Sequence, residues 1–403
     1  MTDEKSTESG SRVWLIALLG ALSAFGPITT DVYLPGLPKA AADLGVSSAA
    51  IQFTLTTSLL GLAVGQLLVG PLSDRWGRRR PMIGGMALFM VTSVLCAIAP
   101  NVYLLDLFRL LQGMAGAAGI VVSMAIVRDL YSGRQAARSY SILLAVNGIA
   151  PVAAPVVGAQ LLRVMDWRGI FLVLAGLGLV FLFAALAGVP ETLPPARRRT
   201  GEVAETFHRM RMLFSDRSFM GYALAGGFSF AAMFAYISAS SFVFQDVYGV
   251  SAQQFSAFFA ANAVGILLGN GFNTVVVRKR SPRAGLNIGL AGVFVGALAT
   301  FVVTVAGLGV WYLEPALFVM VASIGLTMPN ATALALEDHG EAAGAASAGV
   351  GLLQFGLGAA VAPLVGLSGS HSAVPMGIVT VVAATLALLA RSVLAPRRRG
   401  AAA

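Results

Sequence analysis

Apolar runs of about twenty residues recur along this chain, and no other feature limits its fold so strongly. A helix needs roughly that length to cross the hydrocarbon core of a bilayer. The runs fall at 13–37, 50–71, 82–100, 102–127, 139–162 and 168–189. After a polar gap they resume at 219–245, 252–276, 284–307, 310–334, 344–368 and 373–391. They are too long and too uniformly apolar for the alternating strands of a membrane barrel. The expected fold is therefore all-α and integral to a membrane, with twelve spanning helices. Composition agrees, because 57% of the residues are hydrophobic and only 11% are charged. A soluble domain carries about 25% charged residues.

The basic residues test this map. Twelve spans put both termini on one side of the membrane. All but Lys39, Arg109, Arg163 and Arg168 of the 27 Lys and Arg then fall on the terminal side. That asymmetry is the positive-inside rule, so both termini are expected in the cytoplasm of a multi-pass protein of the cell membrane. The net charge of +9 lies in short blocks between apolar runs, not on one soluble face, so no nucleic-acid partner is expected. The N-terminal stretch MTDEKSTESGSR is too polar and acidic to begin a signal peptide, and the first apolar run is expected to be retained. Cys96 is the only cysteine, and His208, His339 and His371 lie far apart, so no metal site and no cofactor are expected.

The longest polar gap, 190–218, divides the chain. It separates an N-terminal six-helix bundle (13–189) from a C-terminal one (219–391), with tails at 1–12 and 392–403. Within the gap, VAETFHRMRMLF has the pattern of a short amphipathic helix on the inner membrane face. A repeat supports the division. At an offset of 208, Leu144, Gly148, Ala154, Pro155, Val157 and Gly158 fall on Leu352, Gly356, Ala362, Pro363, Val365 and Gly366. Both spans run in the same direction, so the halves are parallel repeats. Gly148, Pro151, Pro155 and Gly158 make span 5 a kinked, closely packed helix, either as a rocking surface or merely for close packing.

The stretch GPLSDRWGRRRP, Gly70 to Pro81, interrupts the apolar pattern with one Asp and four Arg. Topology accounts for the arginines but not for Asp74 or Gly77. The spacing of Gly70, Asp74, Arg75, Gly77, Arg78 and Arg79 resembles the signature loop of the major facilitator superfamily. RLLQGMAG at Arg109 resembles the span-4 motif of its drug–proton antiporters. TDVYLPGLP at Thr30, RDLY at Arg128, APVVG at Ala154, WRGIF at Trp167 and MPNATALAL at Met328 are similar to the bicyclomycin and chloramphenicol resistance (Bcr/CflA) subfamily. Ala154 and the pair Gly158-Ala159 depart from the antiporter pattern of span 5. The resemblance implies two parallel six-helix bundles with cargo between them. It also implies a conformational latch in which Arg78 pairs with an acid at the inner end of span 4, for which Asp129 is the candidate. Asp74 would cap a helix N-terminus.

Asp31 is the acid within span 1. Intramembrane carboxylates are costly and mark ion or substrate paths. Arg109 lies at a similar depth in span 4. Protonation of Asp31 is expected to compete with cargo binding, with Arg109 tuning it. Two bland readings stand beside this: Asp31 snorkelling at the outer interface, and Arg109 bonding backbone carbonyls. Asp106, one turn away, is an alternative partner for Arg109. Candidate cargo contacts are Tyr33, Gln52, Thr56, Phe230, Phe234, Tyr236, Asn262 and Gln354, each also a plausible packing residue. The C-terminal half shows little buried charge, which suits a moderately lipophilic, neutral or zwitterionic small molecule.

No HExxH, GxSxG, CxxC or Walker pattern occurs, so an enzyme is not expected. The expected function is proton-coupled antiport that exports drug-like or antibiotic molecules by alternating access, the working unit being a monomer in the lipid bilayer. The alternative is export or import of one endogenous metabolite on the same fold.

Overall fold

The computed structural model describes residues 2–131, 133–198, 211–337, 339, 343–366 and 372–395. Among them there is no β-strand. The helices are α1 (Thr2–Tyr33), α2 (Leu37–Asp43), α3 (Ser48–Trp76), α4 (Arg79–Ala97), α5 (Val102–Leu130), α6 (Gly133–Leu161) and α7 (Trp167–Gly188). A helical stretch at 211–215, α8, precedes α9 (Arg217–Phe242), α10 (Ala252–Lys279), α11 (Pro282–Val305), α12 (Val310–Leu336), α13 (Ala343–Gly366) and α14 (Val374–Val393). Each of the twelve apolar runs thus lies on its own long helix. Ten of these are long and apolar enough to cross a membrane as they stand, and the first passes as a bent pair. Among the described residues of α6, Val152–Leu161 is an apolar stretch.

The first span ends earlier than its apolar run. Leu34–Gly36 forms one 3₁₀ turn, with Pro35 interrupting the α-helical hydrogen bonds, and α2 follows directly. The amphipathic stretch of the linker lies mostly outside the described residues, with 211–215 helical. Leu213 is buried in a core with Phe219, Tyr222, Leu286, Leu334 and Val350.

The chain forms two compact units, one of residues 1–45 and 57–203, the other of 46–56 and 204–403. In the first, α1 packs on α5 and α6, and α4 on α5 and α7. Phe25 of α1 meets Phe89 at 4.4 Å and Phe181 at 4.9 Å between ring centroids. Small residues allow α3 and α5 to touch backbone to backbone. A Cβ on Gly61 would strike the Leu110 carbonyl, and one on Gly113 would strike that of Ser58. In the second unit, α9 packs on α12, α13 and α14, and α12 on α10 and α11.

Outward faces are apolar. Leu268, Phe272 and Val275 make an exposed stripe along α10, and Val180 and Phe183 do so on α7. Such faces suit lipid as solvent, which supplies no hydrogen bonds and needs none.

Candidate functional sites

The loop 70–81 folds as a charged knot at the junction of α3 and α4. Arg78 is buried, 3% exposed, yet keeps its charge neutralised. Its Nη1 donates to Asp74 Oδ1 at 2.6 Å and to Ser73 Oγ at 2.8 Å. Its Nε donates to Asp129 Oδ2 at 2.8 Å, at the end of α5. Burial alone would lower the Arg78 pKa, but the hydrogen bonds to Asp129 and Asp74 outweigh it and raise it above the ordinary arginine value. Thr192 Oγ1 also donates to Asp129, at 3.1 Å.

The amides that open α4 go to Glu191 rather than to Asp74. Arg78 N donates to Glu191 Oε1 at 2.8 Å and Arg79 N to Oε2 at 3.4 Å. A carboxylate suits the positive end of a helix. Gly77 has φ of +89°, a region that side chains avoid, and a Cβ there would run into the same carboxylate. Arg79 reaches the Leu186 carbonyl at 2.7 Å, and Ser73 the Gly70 carbonyl at 2.9 Å, while Arg75 is exposed. Gly70, Asp74, Gly77, Arg78, Arg79 and Asp129 are therefore brought together. Glu191 was missed, because it stands 113 residues from Arg78 in a stretch read only as the start of a linker.

A second cluster lies inside the first unit. Asp31 is 7% exposed in α1, and Arg109 is wholly buried in α5. No ion pair joins them among the described residues, nor does one join Arg109 to Asp106. Arg109 Nη1 instead donates to Gln112 Oε1 at 2.7 Å, and Gln112 Nε2 donates to Ser93 Oγ at 2.7 Å. The guanidinium lies 5.5 Å from the Tyr33 ring centroid and 5.7 Å from that of Phe171, within cation–π range. Its Nε and Nη2 find no acceptor. Asp106 takes a hydrogen bond from the Thr57 side chain. The WRGIF stretch ties down the rim. Trp167 Nε1 donates to Asp43 at 3.1 Å, and Arg168 Nη1 to the Ala99 carbonyl at 2.7 Å.

The remaining candidates make contacts in the second unit. Gln52 and Thr56 group with the second unit, where Thr56 Oγ1 donates to the Ala359 carbonyl at 3.0 Å and Gln52 Oε1 is buried without a donor. On α9, Phe230 stacks with Phe234 at 6.1 Å and meets Phe355 of α13 edge-on at 5.4 Å, beside Gln354. Tyr236 turns elsewhere, accepting from Asn262 Nδ2 at 3.1 Å. That amide also donates to Glu314 Oε1 at 3.0 Å. Glu314 corrects the expectation of little charge in this half. It stands early in α12, where an acid reads as a span boundary. Gly158 meets the Val32 backbone of α1 and Pro155 is buried, while the side-chain environments of Gly148 and Pro151 lie outside the described residues.

Long apolar helices with lipid-compatible faces, a neutralised charge knot in a short turn and ionisable groups buried between spans define a multi-span membrane transporter, not an enzyme. The sequence model of the Major Facilitator Superfamily matches residues 13–363, and the chain belongs to that family. It is 38% identical to the "Uncharacterized MFS-type transporter YdgK" of Bacillus subtilis (strain 168) over 393 residues, covering 94% of each chain. It is 32% identical to the "Bicyclomycin resistance protein homolog" of Haemophilus influenzae over 379 residues, covering 93% of each. The fold resembles that of an inward-facing, unoccupied bacterial homolog of the human lysosomal transporter Spinster. That match has a TM-score of 0.73 at 16% identity over 95% of this chain and 98% of the other.

Proposed function

We propose that the protein exports moderately lipophilic, drug-like or antibiotic molecules from the cytoplasm in exchange for protons, by alternating access, as a monomer in the cell membrane with both termini inside. The observation that carries this reading is Asp31, a carboxylate buried in the first span with no basic partner among the described residues. Such a group is expensive unless it serves an ion path. Proton uptake by Asp31 from outside and release inside, alternating with cargo, is the coupling step. Arg109, held by Gln112 and two rings, provides a fixed positive charge in the same unit. The knot around Arg78 is the latch that is made and broken as access alternates. A relative named for bicyclomycin resistance supports a drug-like cargo.

The test is a panel of candidate compounds in proteoliposomes under an imposed pH gradient. Asp31→Asn is expected to abolish uphill transport while leaving downhill exchange measurable. Uphill transport that survives the substitution removes Asp31 from the mechanism. Strict selectivity for one endogenous metabolite would replace the drug-export reading.

A further inference from the structure

Glu314 and Asn262 leave an unusual residue of hydrogen-bonding capacity in the second unit. Asn262 is 1% exposed, and its Nδ2 serves both Tyr236 and Glu314. Its Oδ1 and Glu314 Oε2 are buried and accept from nothing. Exchanging the amide's oxygen and nitrogen would set oxygen against the Glu314 carboxylate, so the orientation follows from the chemistry. No Lys or Arg pairs with Glu314 among the described residues. The site therefore offers two unused acceptors, one of them on an acid, and lacks a donor.

Aromatic rings stand near it along α9, α10 and α12. Phe259, one turn before Asn262, stacks on Tyr236 at 5.8 Å. Trp311, one turn before Glu314, meets Phe258 edge-on at 5.6 Å. Phe255, Phe258, Phe259 and Asn262 share one face of α10 by helical spacing. A divalent metal would want about six oxygen ligands and a hydrated approach, which rings do not supply. An organic ammonium satisfies both demands, with N–H donors for the oxygens and a cationic, apolar body for the rings.

We propose that Glu314, Asn262 and Tyr236 bind the protonated amine of a lipophilic cargo molecule. The proposal rests on the drug-export reading and names a cargo class for it. Propranolol, a lipophilic secondary amine, and its uncharged N-acetyl derivative are the probes. Their binding to the full-length protein in detergent is measured by equilibrium dialysis against protein-free micelles, so no transport is needed. Glu314→Gln should weaken propranolol binding about tenfold, the loss of one charge-assisted contact, and change the N-acetyl compound by less than about twofold. Glu314→Asp, which keeps the charge, should retain the preference for the amine and serves as the folding control. Equal losses for both probes, equal wild-type affinity for both, or no change in Glu314→Gln overturns the proposal, as does a wild-type protein that binds no amine. Binding with these preferences but without proton-driven transport would sink the export reading and leave this site standing.

Discussion

The turns that join the second and third long helices of each half invite comparison. Both concentrate bases: Arg75, Arg78, Arg79 and Arg80 between α3 and α4, and Arg278, Lys279, Arg280 and Arg283 between α10 and α11. In the second turn the bases are unpaired among the described residues, and Arg278, Lys279 and Arg280 are exposed. There Ser281 caps α11 by accepting from Ala284 N, and the nearby polar tie is neutral, Asn330 Nδ2 to Asn273 Oδ1 at 2.6 Å. The first turn adds Asp74, Asp129 and Glu191 and a glycine with positive φ. Holding a loop on the cytoplasmic side requires only positive charge. The acids of the first turn exceed that requirement, and they hold the turn together through Arg78 and the amides that open α4.

The sharpest break would come from Arg78→Ala against Arg280→Ala. Removing the buried Arg78 strands two carboxylates and should cost about 3 kcal/mol, whereas Arg280→Ala should stay within about 0.5 kcal/mol. Unfolding midpoints in one detergent would show it, and equal midpoints would erase the distinction between the turns. The pH dependence sharpens this further. A folded-state pKa raised above the ordinary arginine value gives a contribution complete below that ordinary value and lost only as pH rises through the raised one. The gap between wild type and Arg78→Ala should therefore owe no change to Arg78 titration between about pH 7 and 10. A smaller effect is expected from Gly77→Ala, about 2 kcal/mol for the strained backbone, against about 1 kcal/mol for loss of the Ser281 cap in Ser281→Ala. Smallest is the neutral tie: a double-mutant cycle of Asn273→Ala and Asn330→Ala should give a coupling of about 1 kcal/mol.

The long helices and the Arg78–Asp129 encounter were legible in the sequence because each rests on a strong local signal. Twenty apolar residues leave a chain few choices in lipid, and the signature loop names its own arginine. Glu191 was not legible, since pairing it with α4 needs the fold to return α7 to the same end as the loop. Glu314 escaped for a different reason. An acid five residues into an apolar run looks like its edge, and only the neighbouring Asn262 shows it turned toward other helices. Asp31 and Arg109 were each legible as charges within spans, and the sequence could add only that they lie at similar depth. Depth along a helix fixes height and says nothing of which way a side chain points. The rings of Tyr33 and Phe171 flank the Arg109 guanidinium.

The glycine contacts between α3 and α5 carry a mechanical corollary. With Gly61 against the Leu110 carbonyl and Gly113 against that of Ser58, two rods are notched into each other, and neither can slip lengthwise without a collision. Their far ends hold Asp74 and Asp129, which share one arginine. Locked in this way, the two rods keep both carboxylates at a set spacing around that arginine.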